Sequence, residues 1–320
     1  MLNPAFDKNN VAIVLPSDNN FVPILSVTLS SLVKNSSLGN NYDIFVLTDD
    51  ITEHNQKKLK TLVESNNISL RFVNVKENLN RYDLNIFFIN GHFKLPTYYR
   101  FFIPELFENF DKILYLDSDM IIMDDVAKIY NLNIQSGLMA VKDPFTQCKI
   151  KDDLSYKGYC KDILKLKNLE NYFQNGVVLY NIKFLRDFDF TNKCINTLKE
   201  IETPKHLDQC VMNSIMQGYV DFVDLEWNTE WYVPLLVKDY KNLLQKDLLS
   251  KYIKAYENPK ILHYASYKKP WFHFWCPKAN YFWQYFWCSN FKLDVLKITI
   301  EKYIKTLKYI IIVFILTFDK

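Results

Sequence analysis

The stretch ILYLDSDMII, Ile113 to Ile122, places two carboxylates, Asp117 and Asp119, in an otherwise apolar run. Desolvating an unpaired carboxylate costs several kcal/mol, so the pair needs a reason. The leading ILYL reads as a buried β-strand, and the carboxylates fall where that strand runs out. On an extended chain alternate residues face the same side, which puts Asp117 and Asp119 together and Ser118 opposite. Two oxygen ligands at that spacing suit a hard divalent cation, Mg²⁺ or Mn²⁺. A cation there would neutralise the pair and keep positions open for phosphate oxygens. The competing explanation of a bare Asp-x-Asp is a polar strand end or turn.

Outward from this strand the chain alternates between two periodicities. VAIVLP (11–16), YDIFVLTD (42–49) and ISLRFVNV (68–75) read as strands, and KILYLDSD (112–119) as the fourth and strongest. Between them FVPILSVTLSSLVKNS has apolar residues at helical spacing, and TEHNQKKLKTLVESNN is a polar-faced helix with Thr52 as N-cap. A helix is expected over 95–107 after Pro96, then strands at 136–143, 175–182, 219–224 and 259–265 and helices at 190–202 and 207–217; residues 145–171 read as a loop or small helical insertion. Strands alternating with helices predict right-handed βαβ units in a mainly parallel sheet. Such sheets bind ligands beyond the carboxyl ends of their strands. The first strand runs into Asp18, the fourth into Asp117 and Asp119, and a late one into His263, so these residues converge if the strands are neighbours. As a third ligand the His263 imidazole favours Mn²⁺ over Mg²⁺; the alternative is a satisfied core histidine.

Of the 320 residues 49% are hydrophobic, enough for a sizeable core. The net charge of +3 gives no argument for a nucleic-acid partner. No two of the six cysteines are spaced as C-x-x-C, and a chain this long needs no disulfide staples, so free thiols are expected. The N-terminus MLNPAFDKNN has neither a basic nor an apolar region of a signal peptide, which points to the cytoplasm. Residues 1–275 read as one α/β domain and 276–320 as an aromatic and basic appendage. Its end, KYIKTLKYIIIVFILTF (302–318), puts lysines at helical spacing before an uncharged run. That run is shorter than the roughly 20 residues a span needs, so it reads as an interfacial membrane anchor over 292–320 or as a final core element.

Six ordered segments resemble the retaining glycosyltransferases of family 8: IVLPSDNNFVPILSVTLSSL, HFKLPTYYRFFIPELF, DKILYLDSDMII, NYFQNGVVLYNIKFLR, HLDQCVMN and LHYASYKKPW. The resemblance runs from about residue 10 to 275. It implies a GT-A fold that uses a UDP-sugar and Mn²⁺, with a saccharide or lipid-linked glycan as acceptor, as in lipopolysaccharide synthesis. By motif, Asp117, Asp119 and His263 match the metal ligands. Pro16, Ser17, Asp18 and Asn20 match the turn that holds uridine, and Lys269 the lysine that neutralises diphosphate. Ser118, His92 and Arg100 match positions near the donor. Asp208 and Gln209 match the Asp-Gln pair beside the donor sugar, Gln209 near the anomeric carbon.

Three departures stand out. The family's Asp-Gln-Asp is Asp208-Gln209-Cys210 here, and its Phe-Asn-x-Gly is Phe173-Gln174-Asn175-Gly176. Ser266 stands where a glycine is frequent. The first two keep open a non-catalytic sugar-nucleotide-binding protein on the same fold. A haloacid-dehalogenase phosphatase also uses Asp-x-Asp, but on its first strand.

Overall fold

The computed structural model describes residues 2–87, 94–240, 242–244, 246–273 and 275–318. Ten strands run through them in chain order: β1 (Asn10–Pro16), β2 (Asn41–Thr48), β3 (Ile68–Asn74), β4 (Lys112–Leu116), β5 (Met120–Ile122), β6 (Leu138–Lys142), β7 (Phe173–Asn181), β8 (Val220–Val223), β9 (Thr229–Glu230) and β10 (Ile261–His263). Seven form the central sheet in the order β3-β2-β1-β4-β7-β6-β8. β7 is antiparallel to both its neighbours, and the other pairings are parallel. The expected α/β fold with a mainly parallel sheet is therefore present. The strands β1, β2 and β4 are buried along almost their whole length, which is why they read as continuous apolar runs.

The sequence reading fails at the end of β4. The strand stops at Leu116 rather than Asp119, and Asp117-Ser118-Asp119 forms the step into a second sheet, ordered β5-β10-β9. His263 lies in β10, which pairs antiparallel with β5, so it does not reach the aspartates as a neighbour in the central sheet. MII is too short for its own strand signal and reads as a continuation. The expected helix over 95–107 is a 3₁₀ segment, Leu95–Phe102, then a short α-helix, Ile103–Leu106. Pro104 lies in the first turn of that second piece, where its missing N–H is tolerated. Residues 144–163 form the small helical insertion, with a satellite core of Ile150, Tyr156, Cys160, Leu164 and Leu166 that takes in Cys210. The helices Val233–Tyr240 and Lys246–Glu257 were not expected from the sequence.

Helix α1 (Val22–Lys34) is buried from Val22 to Leu32. Its hydroxyls fix the step between the two sheets. Thr28 Oγ1 donates to the Ser118 carbonyl at 2.8 Å, and Ser31 Oγ accepts the Ile122 N–H at 2.9 Å. Such buried polar groups stabilise only because they are paired. Helix α2 (Glu53–Leu62) starts at Thr52, whose hydroxyl caps the Asn55 N–H as expected.

The aromatic segment after Lys269 packs on α1 and β5. Trp271, Phe282, Tyr285 and Phe286 are buried with Ile24, Val27 and Ile121 in one cluster. Ser289 Oγ lies 2.6 Å from Ser26 Oγ, and Asn35 Nδ2 donates to Tyr285 Oη. The last helix, Lys292–Phe318, begins with Val295 and Thr299 buried against this layer. Among the described residues no helix is long and apolar enough to cross a membrane. All six cysteines are free, as expected.

Candidate active site

β1 and β4 are parallel neighbours, so the turn after β1 and the Asp117–Asp119 step share one edge of the sheet. The alternation read from the sequence holds across that step. Ser118 turns away, its buried hydroxyl donating to the Pro16 carbonyl, while Asp117 and Asp119 face His263. His263 Nε2 lies 3.2 Å from Asp119 Oδ1 and 3.6 Å from Asp117 Oδ2. Backbone bonds lock this arrangement: Asp117 N–H to the Gly176 carbonyl at 2.8 Å, and Tyr264 N–H to the Asp119 carbonyl at 3.0 Å.

One ligand atom from each of Asp117, Asp119 and His263 lies within 4.8 Å of the others. Gly176 faces them: a Cβ there would sit 2.6 Å from His263 Cε1 and 2.9 Å from Asp117 Oδ2. The absence of a side chain keeps the space between carboxylate and imidazole open. Two carboxylate oxygens and an imidazole nitrogen around it fit a borderline divalent cation.

Cations of the chain balance the carboxylates. Lys269 Nζ contacts Asp119 and donates to the Tyr264 carbonyl. Burial works to raise the Asp119 carboxyl, but Lys269 and then His263 hold it well below the usual carboxylate range. Burial likewise opposes charge on His263, and the two aspartates override it and push its pKa up. Arg100, only 2% exposed, donates to Asp117 Oδ1 at 2.7 Å and to Tyr115 Oη at 2.7 Å. It also bonds the Asn175 carbonyl and sits 2.9 Å from Asp208 Oδ2. Its guanidinium thus ties the end of β4 and the Asp117 step to the Leu207–Ile215 helix.

Asp208 is buried and accepts from Thr97 Oγ1, Arg100 and Asn175 Nδ2. Burial raises its pKa, against the pull of Arg100. Gln209 is held at both ends of its amide. Its oxygen accepts the Asn175 N–H at 3.3 Å, and its nitrogen donates to Asp143 Oδ2 at 3.1 Å. Asp143 was missed in the sequence. The signal was there, an aspartate directly after β6 and before Pro144, but it reads equally as the N-cap it is. Cys210, in place of the family's second carboxylate, turns into the insertion core. There its sulfur accepts the His206 N–H at 3.2 Å, and burial pushes the thiol pKa up.

Ser17 is buried, its hydroxyl donating to the Asp18 carbonyl, and Asp18 Oδ1 accepts the Phe21 N–H at 2.8 Å. Burial raises the Asp18 pKa. Asn20 is exposed beside them. Ser266 has φ +74°, the left-handed conformation that favours glycine. The residue type that the resemblance leads one to expect there has a backbone reason. Gln174, the residue in place of the family's asparagine, lies against His263, with Nε2 3.4 Å from Nδ1. His92 lies outside the described residues.

A model of glycosyl transferase family 8 matches residues 12–275. The chain belongs to glycosyltransferase family 8. Among its relatives, General stress protein A of Bacillus subtilis (strain 168) is 24% identical over 264 residues, 81% of this chain and 86% of that protein. Lipopolysaccharide 1,2-glucosyltransferase of Escherichia coli (strain K12) is 25% identical over 272 residues, 83% of this chain and 74% of that one. Among solved structures, the bifunctional glycosyltransferase WbbM in its apo form superposes with a TM-score of 0.79 at 26% identity. That match covers 92% of this family 8 chain and 52% of WbbM, so the chain spans about half of that protein. The family 8 chain has the GT-A fold and is a glycosyltransferase.

Proposed function

We propose that this enzyme moves a hexose, glucose or galactose, from a UDP-sugar to a glycan or lipid-linked saccharide, in lipopolysaccharide or surface-glycan synthesis. The observation that carries the reading is the Asp117–Asp119–His263 cluster beside Lys269, at the carboxyl ends of β1 and β4. Asp117, Asp119 and His263 would hold Mn²⁺ or Mg²⁺, which when bound supplies Lewis-acid stabilisation of the departing diphosphate. Lys269 adds a positive charge on the same side, where negative charge grows as the glycosidic bond breaks. Asp18 and Asn20 supply an acceptor for the uracil N–H and a partner for a ribose hydroxyl.

Among the described residues of the Asp208-Gln209-Cys210 segment no side chain is a good nucleophile on the sugar. The amide of Gln209 is barely basic, the Asp208 carboxylate is engaged by three donors, one of them the Arg100 guanidinium, and the Cys210 thiol faces the insertion core. Retention then fits same-face attack, with a phosphate oxygen of the leaving group taking the acceptor's proton. Gln209, fixed by Asp143 and Asn175, is placed to steady the anomeric centre.

Residues 292–320 are proposed to rest on the cytoplasmic face of a membrane, beside the exposed tryptophans of the preceding aromatic segment. Trp275 and Trp287 are 73% and 69% exposed, and Leu293 of the last helix is 81% exposed. Exposed tryptophans beside a lysine-rich helix are the composition of an interfacial contact. The test of function is UDP release from a panel of UDP-hexoses with Mn²⁺. Turnover of at least one donor supports the reading, and none on any donor rejects it. Deletion of 292–320 is expected to abolish co-sedimentation with anionic vesicles; unchanged sedimentation rejects the anchor.

A further inference from the structure

Beyond the metal ligands, a buried pair of amides behind them carries a further inference, which rests on the metal site just proposed. Asn228 lies just before β9, is 3% exposed, and had no functional signal in the sequence. Its side chain bridges His263 and Gln174. Asn228 Oδ1 is 3.0 Å from His263 Nδ1, and Asn228 Nδ2 donates to Gln174 Oε1.

The orientation of both amides follows from one backbone group. The Gly176 N–H can only donate, and it donates to Gln174 Oε1 at 2.5 Å. That fixes which end of the Gln174 amide is oxygen. An oxygen there requires the nitrogen end of Asn228 to face it, so the oxygen end of Asn228 faces His263 Nδ1. An amide oxygen only accepts, so Nδ1 carries the proton. Gln174 Nε2 lies 3.4 Å from the same nitrogen. Two N–H groups cannot bond each other, and the closer oxygen of Asn228 takes the proton. Neutral His263 then has its lone pair on Nε2, the nitrogen that faces Asp119 and Asp117.

We propose that Asn228 is a positioning residue that sets the tautomer and ring orientation of His263, and that Gln174 locks Asn228 in the required flip. This gives the glutamine at position 174 a purpose of its own. Its oxygen reaches both the Gly176 N–H and Asn228, and its extra methylene relative to asparagine supplies that reach. A hydrogen-bonded partner on the far nitrogen of a ligating histidine typically controls metal affinity by about 10- to 100-fold.

The unsubstituted protein gives the first test. With ¹⁵N-labelled histidine, UDP and diamagnetic Mg²⁺ in the site, the His263 resonances, assigned by their loss in His263→Ala, are expected to show a protonated Nδ1 and an unprotonated Nε2; without the cation the two aspartates keep a proton on Nε2 as well. The opposite tautomer overturns the relay. The second test is Mn²⁺ titration by electron paramagnetic resonance with saturating UDP. Asn228→Ala is expected to weaken Mn²⁺ binding about 10- to 100-fold. Asn228→Asp still accepts from Nδ1–H but sets an oxygen against Gln174 Oε1, so its loss is expected to be smaller than that of Asn228→Ala but not absent. Gln174→Asn, the gentler change, is expected to fall between the parent and Asn228→Ala. Thermal unfolding of each variant shows that it is folded. Parent-like affinity in Asn228→Ala, or equal losses in Asn228→Ala and Asn228→Asp, overturns the relay while leaving the metal site standing. A parent protein that binds no Mn²⁺ overturns the metal site and the relay with it.

Discussion

Replacing Gly176 with alanine tests the site through a single methyl group. Gly176 has no positive φ, so alanine is free to adopt its backbone conformation and the consequence is steric. The new Cβ would lie 2.6 Å from His263 Cε1 and 2.9 Å from both His263 Nδ1 and Asp117 Oδ2. Carbon atoms in ordinary contact are about 3.5–4.0 Å apart, so the imidazole must retreat by roughly 1 Å. It has little room, because it is 2% exposed and backed by Asn228 at 3.0 Å. Overpacking of this kind costs about 1–3 kcal/mol of stability. The functional cost is larger, since ligand positions tolerate only about 0.2 Å, and a 1 Å misplacement can lower a rate by about 100-fold. The assay is Mn²⁺-dependent UDP release together with Mn²⁺ affinity and the thermal midpoint. Gly218→Ala is the control: Gly218 has φ +81° and nothing within 4 Å of its Cβ position, so that variant loses stability without losing metal. A Gly176→Ala protein with parent-like metal affinity and turnover would refute the reasoning.

Two further predictions concern stability. Ser266→Gly relieves a left-handed serine and is expected to stabilise the protein by up to about 1 kcal/mol, read as a higher urea midpoint; a lower midpoint contradicts it. Burial, with the nearby Asp143 charge next, pushes the Glu230 carboxyl from 4.5 up to about 8. The folded state therefore holds this proton more tightly than the unfolded chain, and stability falls as pH rises from about 4.5 through about 8, by at most about 1.4 kcal/mol per pH unit. Glu230→Gln removes that decline. Its stability relative to the parent is expected to rise between pH 5 and pH 9 in urea titrations, and parallel pH profiles would contradict this.

Much of the fold was legible because β1, β2 and β4 are apolar runs bounded by turn residues, and their burial on both faces leaves that mark. The change of sheet at Asp117 was not legible. MII continues the apolar character of ILYL, and only a far-distant partner, β10, through Ile261↔Ile122 and His263↔Met120, shows that it belongs to another sheet. The aspartate pair could be read from alternation, and His263 from its motif. The bonding of Arg100 could not, because its partners lie in three segments distant in sequence, Tyr115 with Asp117, Asn175, and Asp208. Asn228 sits in LEWN, a turn with no pattern of its own, and its meaning arises only from the contacts of Gln174 and His263.

The most direct test of the account is restoration by metal of protein stripped with a chelator. UDP release from the preferred UDP-hexose is expected to vanish on stripping and return with Mn²⁺. Asp119→Ala and His263→Ala are expected to stay inactive at Mn²⁺ concentrations that saturate the parent. UDP release that persists in the stripped protein, or survives both substitutions, would contradict a metal centre built from Asp117, Asp119 and His263.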